Sequence, residues 1–292
     1  MSSDIIKSYK GFDKDLCCLG FQYEVGKEYE IEGEIKCCQK GFHACESPFE
    51  VLDYYDMLTS RLCEVEQSGK IDREDDESTK VCSSKIKVKA ELKLADLINI
   101  GVEWLKEVTS PNKIKDADTN SSGNSAKIGS SGEYAKIGSS GDFAQIGSSG
   151  DYAKLGSSGI SAKIGSSGIS AKIGSTGEYA QIGSSGDFAQ IGSSGISAQI
   201  GSSGDYAQIG SSGISAKIGS TGEDSVIMCA GLDSVVKAKV GSWITLAEWE
   251  YNKDKDRRVP KCVKTEFVDG ERIKGDTWYK LKDGEFKEVE EP

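Results

Sequence analysis

The sequence predicts a mainly β protein built around a nonapeptide-repeat β-solenoid, with an amino-terminal α+β domain before it and a carboxy-terminal β-meander cap after it. Ala returns every nine residues from Ala126 to Ala216 and opens a unit of the form A-(K/Q)-(I/L)-G-S-(S/T)-G-x-x. The units at both ends of this array are degenerate, as terminal repeats are when they face something other than a copy of themselves. A fixed period of this kind is the signature of a stacked repeat protein.

Three segments follow from where the repeat begins and ends. Residues 1–116 form the amino-terminal domain, residues 117–242 contain fourteen nonapeptides, and residues 243–292 form the cap. At 292 residues, of which 37% are hydrophobic, the chain is long enough for two or three packed units. Most of the glycines occupy fixed places in the repeat, so their number indicates a periodic fold and not a flexible tract.

Two segments of the amino-terminal domain predict helices. Residues 47–62 open with Ser47 as a candidate N-cap and Pro48 at the first helical position, and apolar residues follow at helical spacing. Residues 94–108 are a second amphipathic segment, which Pro111 is expected to stop.

Other segments of this domain predict strands and a loop. Residues 21–33 and 83–94 alternate apolar and polar residues, which is typical of half-buried strands. Residues 69–80 are mostly charged and polar, which predicts a surface loop.

The repeat has a predicted inside and outside. Ala at position one and Ile or Leu at position three lie on the same side of an extended chain, because side chains alternate across a strand. We expect that side to face inward and the Lys or Gln at position two to face solvent, as at Lys127, Lys136, Gln145 and Lys154. The Gly-Ser-Ser-Gly that follows has the composition of a turn.

One nonapeptide is too short to close around a core, so two of them are predicted to make each coil. Residues eighteen apart, such as Ile128, Ile146 and Ile164, then stack inward. Fourteen units make about seven coils, and at roughly 4.8 Å per coil the rod is on the order of 35 Å long.

The segment after the array predicts a cap. Residues 225–251 lose the glycines and gain Val and Ile, which favours longer paired strands. Residues 259–289 predict three strands, separated by the hairpin signals Asp-Gly, Lys-Gly-Asp and Asp-Gly. Such a meander would cover the open end of the rod, where an uncovered coil presents free strand edges.

Charge and hydropathy exclude some classes of function. The net charge of -11 argues against a protein whose main work is holding nucleic acid phosphates. The first residues lack the apolar core of a signal peptide, and no run approaches the roughly 18 apolar residues of a membrane span. We therefore expect a soluble protein made in a cytoplasm, with neither nucleic acid nor a membrane as a partner.

The repeat itself does not have the residues of two known binding arrays. Calcium-binding nonapeptides place Asp among the glycines of the turn, whereas the turn here carries hydroxyls and no carboxylate. The evenly spaced hydroxyls also invite an ice-binding interpretation, but the flat ranks of Thr that such surfaces use are missing.

The sequence carries a resemblance in its flanks. The segments KGFDKDLCCLGFQYEVGKEYE, KCCQKGFHACESPFEVLDYYD, WITLAEWEYNKD and GDTWYKLKDGEF resemble an uncharacterised family of proteins encoded mostly in bacteriophages and prophages. In that family a small amino-terminal domain precedes repeats rich in Ser, Gly and Ala. The resemblance implies a viral origin and a host cytoplasm as location. It brings no assigned activity and no catalytic residues.

The densest cluster of reactive side chains is Cys37, Cys38, His43 and Cys45. Thiolate and imidazole are zinc ligands, so these four residues could close a tetrahedral site. The spacing has no clear C-x-x-C pair, and free Cys is often buried as a small hydrophobic residue. We expect reduced, metal-free thiols and no cofactor, because adjacent cysteines do not form ordinary disulfides and no export signal is present.

Positions eight and nine carry the variation in the array. They are either acidic and aromatic or Ile and Ser. With two units per coil, position nine forms two rows, which we name the first edge and the second edge. The first edge is Tyr134, Tyr152, Ser170, Phe188 and Tyr206, and the second edge is Phe143, Ser161, Tyr179, Ser197 and Ser215.

The first edge is the candidate partner-binding site. Stacked side chains stabilise any solenoid, which is the structural alternative, but exposed aromatic rows are unusual on a monomer. Acidic neighbours at position eight repel one another, and we expect a partner with basic groups to explain them. The candidate site residues are Glu133, Tyr134, Asp151, Tyr152, Asp187, Phe188, Asp205 and Tyr206.

These observations predict a non-enzymatic interaction protein that binds and blocks a host protein, such as a component of antiviral defence. The sequence has no phosphate loop, dinucleotide fingerprint or paired catalytic carboxylates. Two alternatives stay open: a structural virion component such as a tail or fibre element, and an enzyme with its site in the amino-terminal domain.

Overall fold

The computed structural model describes residues 5–73, 78–109 and 119–290. The predicted boundary between residues 116 and 117, and Pro111, lie outside the described residues. Contacts divide the chain into two compact units, Met1–Trp104 and Leu105–Pro292. No helix within the described ranges has the length and apolar character needed to cross a membrane.

The amino-terminal unit is a small, mostly antiparallel β structure. A five-stranded sheet has the order β4-β7-β5-β1-β6, and β6 also pairs with β7, so four of its strands close into a ring. A separate two-stranded ribbon pairs β2 with β3. The strands are β1 (Ile6–Phe12), β2 (Cys17–Cys18), β3 (Phe21–Gln22), β4 (Glu28–Glu30), β5 (Phe42–Cys45), β6 (Arg61–Arg73) and β7 (Lys80–Leu92).

The unit's core lies inside this ring. Phe12, Val65, Ile86 and Val88 are at most 1% exposed and belong to one buried cluster. Phe12 lies on β1 and the other three on β6 and β7, so the core depends on pairings between distant residues, such as Gly11 with Leu62.

One predicted helix is confirmed and one is wrong. Helix α1 spans Leu94–Val108, as the apolar spacing predicts. The segment 47–62 forms only a 3₁₀ helix, Glu50–Asp53, whose N-cap is Phe49 and not Ser47 as predicted. The Ser47 hydroxyl does accept a hydrogen bond from the Glu50 N–H at 3.2 Å. The helix does not extend, because the Asp56 carboxylate accepts hydrogen bonds from the N–H groups of Leu58 and Thr59 in a turn. Strand β6 then begins at Arg61.

The strand predictions for this unit are right in part. Strand β7 covers most of the predicted strand 83–94, but the segment 21–33 forms the short strands β3 and β4 instead of one long strand. In the predicted loop 69–80, residues 69–73 belong to β6 and Lys80 begins β7, while residues 74–77 lie outside the described residues. Cross-strand pairing over this stretch outweighs its charged composition.

The second unit contains the solenoid. Its strands alternate between two parallel sheets, and every strand from β9 to β19 covers positions two to five of one nonapeptide. The strands are β8 (Thr119–Ser121), β9 (Lys127–Ser130), β10 (Lys136–Ser139), β11 (Gln145–Ser148), β12 (Lys154–Ser157), β13 (Lys163–Ser166), β14 (Lys172–Ser175), β15 (Gln181–Ser184), β16 (Gln190–Ser193), β17 (Gln199–Ser202), β18 (Gln208–Ser211), β19 (Lys217–Ser220), β20 (Val226–Cys229) and β21 (Val235–Lys237).

The predicted coil of two nonapeptides is confirmed. Ile146 pairs with Ile128 on one side and with Ile164 on the other, so the stacking interval is eighteen residues. The seven odd-numbered strands from β9 to β21 follow one another in one sheet, one per coil. Ala at position one and Ile or Leu at position three form a continuous buried core, as predicted.

The turn lies later in the repeat than predicted. The first Gly and the first Ser of Gly-Ser-Ser-Gly belong to the strand. That Ser, at position five, is buried like Ala at position one and Ile at position three, because every second side chain of a strand lies on the same side. The hydroxyl of Ser139, for example, accepts a hydrogen bond from the N–H of Gly141 at 3.3 Å. The turn itself covers positions seven to nine.

Position two does not face solvent everywhere. Lys136 and Lys154 are exposed as predicted, but Gln145 is only 5% exposed and Lys163 only 2%. The exposed pair lies in the sheet of the even-numbered strands and the buried pair in the other sheet. Alternation fixes which side of a strand a residue occupies, but it does not fix whether that side is covered.

Thirteen successive nonapeptide turns hold a non-Gly residue in the left-handed region. From Ser125 to Asp233 the residue at position nine has a φ between 49° and 58°. This conformation costs roughly 1–2 kcal/mol for an ordinary residue. It lets the position-nine N–H donate to the next coil, as that of Tyr134 does to the Asp151 carbonyl at 2.8 Å.

We predict that this conformation sets which residues position nine accepts. Ser215 is exposed, with a φ of 56°. Ser215→Val should lower the free energy of unfolding by about 1–2 kcal/mol, because a β-branched side chain fits the left-handed region poorly. Ser215→Asn should be neutral or slightly stabilising, since Asn tolerates that region. Urea denaturation measures both, and equal stabilities would contradict the prediction.

The carboxy-terminal strands extend both sheets and do not form the predicted three-stranded meander. Strand β22 (Trp243–Asn252) stacks on β20 and pairs antiparallel with β23 (Arg257–Phe267). In the other sheet, β24 (Tyr279–Lys282) follows β21 and forms a hairpin with β25 (Glu285–Glu288). Only the second predicted Asp-Gly turn closes a hairpin; the first lies beyond the end of β23, since strand pairing continues the two existing sheets.

Candidate functional site

The first edge is a row of exposed aromatic rings in two stacked pairs. The rings of Tyr134 and Tyr152 have centroids 5.1 Å apart and planes 9° from parallel, and Phe188 and Tyr206 have the same geometry. Ser170 occupies the rung between the two pairs. The predicted site therefore consists of two stacked aromatic pairs, and the two rings of each pair lie on adjacent coils.

These rings are held in place yet open to solvent. The four side chains are 48% to 63% exposed, and each follows a backbone fixed in the left-handed region. A backbone hydrogen bond between the turns of adjacent coils holds that backbone, such as the one from the Tyr152 N–H to the Ile169 carbonyl at 2.8 Å. The first edge thus presents large apolar surface on a rigid support.

The acidic residues at position eight have a role inside the solenoid that the sequence did not reveal. The Asp151 carboxylate accepts a hydrogen bond from the N–H of Ile169 at 2.8 Å, and that of Asp187 accepts one from the N–H of Asp205 at 2.9 Å. Each bond satisfies an N–H group in the turn of the next coil. The expectation that a partner is needed to explain acidic residues at position eight is therefore wrong for Asp.

Glu133 is exposed, as Asp187 is, and it lies in the first described coil of this edge. Asp205 repeats the aspartate pattern and accepts a hydrogen bond from the Glu223 N–H at 2.7 Å. All eight candidate residues thus lie on one edge of the solenoid, four as rings and four as carboxylates.

The second edge carries an apolar row that the sequence analysis did not select. Phe143 and Tyr179 are 50% and 54% exposed, and Ile160, Ile196 and Ile214 at position eight are 39% to 45% exposed. The sequence signal that could have revealed this row is Ile at a turn position, because an apolar side chain in a turn does not reach the core. The two edges therefore differ in proportion: the first edge has four acidic-aromatic units and one Ile-Ser unit, and the second edge has two acidic-aromatic units and three Ile-Ser units.

Among the described residues, the four side chains considered as an alternative zinc site, Cys37, Cys38, His43 and Cys45, are not assembled into a metal-binding group. The His43 ring accepts a hydrogen bond from the Cys38 N–H through Nε2 at 2.9 Å, which uses the imidazole to hold the loop. Burial raises the pKa of Cys45 far above its usual range, so that thiol stays protonated. All nine cysteines are free thiols, and no group of three or more metal-binding side chains is assembled among the described residues.

Three of these four residues instead line a cavity of about 690 Å³ in the amino-terminal unit: Cys38, His43 and Cys45. The cavity also contains Lys10 and Tyr55, which sequence reasoning missed. Lys10 stands in the segment KSYKGF, where nothing distinguishes it from a solvent-facing lysine of a strand.

Comparison with known proteins bears on this unit alone. Residues 6–100 match the family model of a domain of unknown function (DUF7666). This is consistent with an uncharacterised family over the first third of the chain, and it shows neither a phage origin nor a family of repeats. No curated protein and no solved structure shows significant similarity to the chain.

Proposed function

We propose that this chain is a non-enzymatic interaction protein whose first edge binds a partner protein. The observation that carries the proposal is the row of four half-exposed aromatic rings on a rigid backbone. Aromatic side chains are enriched at protein interfaces and dominate their energetics. Rings already fixed in stacked pairs lose little conformational freedom on binding, which favours affinity.

The chemistry of the edge favours a partner with an arginine-rich surface. Each stacked pair is flanked by carboxylates, Glu133 and Asp151 beside one and Asp187 and Asp205 beside the other. A guanidinium group can pair with a carboxylate and pack on an aromatic ring at the same time. The net charge of -11 would also attract a basic protein during approach.

The resemblance in the flanks gives this proposal its biological setting. A protein of phage origin that acts in the host cytoplasm would meet host proteins, and an antiviral-defence component is the kind of partner that it would gain by blocking. A rigid rod that covers a basic surface can block it by occlusion, without a catalytic step.

The test uses two variants that differ only in the edge they alter. Tyr152→Ser/Phe188→Ser removes one ring from each stacked pair of the first edge. Phe143→Ser/Tyr179→Ser removes the same two residue types, at the same spacing of 36 residues, from the second edge. Both should fold, because Ser already occupies position nine at Ser170 with a φ of 57°.

We expect the first-edge variant to lose affinity by at least about 100-fold and the second-edge variant to lose little, because interface hot spots contribute 2 kcal/mol or more each. A tagged wild-type chain captures the partner from infected host cells, mass spectrometry identifies it, and titration calorimetry gives the dissociation constants. Unchanged binding by the first-edge variant, or equal loss in both, would reject the first edge as the interface.

A further inference from the structure

The cavity of the amino-terminal unit has the size and walls of a small-molecule site. Its volume of about 690 Å³ lies in the range of ligand pockets, which are mostly apolar with a few polar groups. Tyr9, Phe12, Val51 and Tyr54 supply apolar and aromatic walls. Asp13, Ser60 and Lys80 also line it, and the His43 carbonyl and the Tyr55 hydroxyl lie at the side chain of Lys10.

Lys10 is a buried lysine without an acidic partner. It is 4% exposed, and every residue of β1 from Ser8 to Phe12 is buried. Its Nζ donates a hydrogen bond to the His43 carbonyl at 3.0 Å and lies 3.4 Å from the Tyr55 hydroxyl. Among the described residues no carboxylate pairs with it, and burial lowers its pKa because a charged amine is poorly solvated there.

Tyr55 is fixed beside this amine. Its ring lies directly against Gly11, where any side chain would overlap it, and its hydroxyl lies 3.5 Å from the Cys18 sulfur. Burial raises the pKa of Tyr55 far above its usual range, so the phenol keeps its proton. The titratable groups that face Lys10 are thus a phenol and the thiols of Cys18 and Cys45.

We propose that this cavity binds an aromatic aldehyde and that Lys10 forms an imine with it. A lysine desolvated in an apolar pocket is a nucleophilic amine, whereas an exposed ammonium is not. A neutral carbonyl group also suits a site that has no buried carboxylate. The inference does not depend on partner binding by the first edge.

The reaction balances without an oxidant or reductant. The Nζ lone pair attacks the carbonyl carbon, the carbon–oxygen π electrons move to oxygen, and one amine proton is transferred to give a carbinolamine. Loss of the hydroxyl group as water, with loss of the second amine proton, leaves the carbon–nitrogen double bond. The Tyr55 phenol is placed to donate a hydrogen bond to the departing oxygen.

The test is reductive trapping on the full chain. Benzaldehyde and sodium cyanoborohydride are added at pH 7, and peptide mass mapping follows the benzyl group at each lysine. We expect Lys10 to react at least about tenfold faster than the exposed Lys93 and Lys253, since a pKa of about 10.4 leaves an ordinary lysine almost fully protonated.

Lys10→Met should remove the fast label, and Tyr55→Phe should slow it by about tenfold or more while the ring stays on Gly11. The comparison of Lys10 with Lys93 within the wild-type chain needs no variant and so holds even if Lys10→Met misfolds. Labelling of Lys10 no faster than of Lys93 and Lys253 would overturn the proposal. Reversible addition of the aldehyde at Cys18 alone, with no trapped amine, would overturn it as well.

Discussion

Gly195→Ala is expected to unfold the coils around it, whereas Gly192→Ala in the same nonapeptide is expected to leave the solenoid intact. A Cβ at Gly195 would overlap the carbonyl oxygen of Gly177 in the preceding coil, and that oxygen is backbone. A Cβ at Gly192 would have no atom within 4 Å. The two glycines are three residues apart, and they differ mainly in their distance from the backbone of the neighbouring coil.

The expected difference is large because the overlap cannot be relieved by a side-chain rotation. The coils stack through continuous strand pairing, such as that of β14 with β16. Relief of the overlap therefore requires two paired strands to move apart. Overpacking against a rigid neighbour costs about 3 kcal/mol. Ala at Gly192 should instead stabilise by a few tenths to 1 kcal/mol, since Ala loses less backbone entropy than Gly.

Urea denaturation followed by circular dichroism measures both variants. The same overlap recurs at each position-seven glycine from Gly141 to Gly231, so Gly186→Ala should behave like Gly195→Ala. If the position-four and position-seven variants were equally stable, the close approach of the coils at position seven would not limit the repeat.

The period of the repeat made the solenoid predictable, and its composition misplaced the turn. Eighteen-residue stacking follows from the nine-residue period and from the fact that one nonapeptide is too short to close around a core. Gly-Ser-Ser-Gly has the composition of a turn, yet the alternation that begins with Ala and Ile continues into the buried Ser139. The turn falls on positions seven to nine because stacked Gly allows the closest approach there.

The candidate sites were predictable only where they depend on the repeat. The first edge follows from counting eighteen residues from one ring to the next. The hydrogen bond from the Ile169 N–H to Asp151 depends on the height of a coil and the direction of one carboxylate, which a sequence does not state. The cavity depends on pairings such as Tyr9 with Cys45 and on Tyr55 reaching Gly11, between residues far apart in the chain.

Gly11→Ala is expected to displace Tyr55 and to open the amino-terminal unit locally. A Cβ on Gly11 would overlap the Tyr55 ring, and Gly11 is itself buried within β1. The ring must leave its place or β1 must move from β6, with which it pairs over seven residues. We expect a loss of about 3 kcal/mol of local stability, as for other overpacked cores.

Hydrogen exchange of the full chain resolves this change by segment. Protection should fall in β1 and β6, while β16 of the second unit serves as the internal reference. The cause is isolated by a double-mutant cycle: in a Tyr55→Ala background the ring is gone, so Gly11→Ala should cost far less. An equal cost in both backgrounds would show that the Tyr55 ring is not what requires Gly at position 11. Because the same ring carries the hydroxyl beside Lys10, we also expect Gly11→Ala to slow imine trapping at Lys10, which ties the packing of this strand to the chemistry of the cavity.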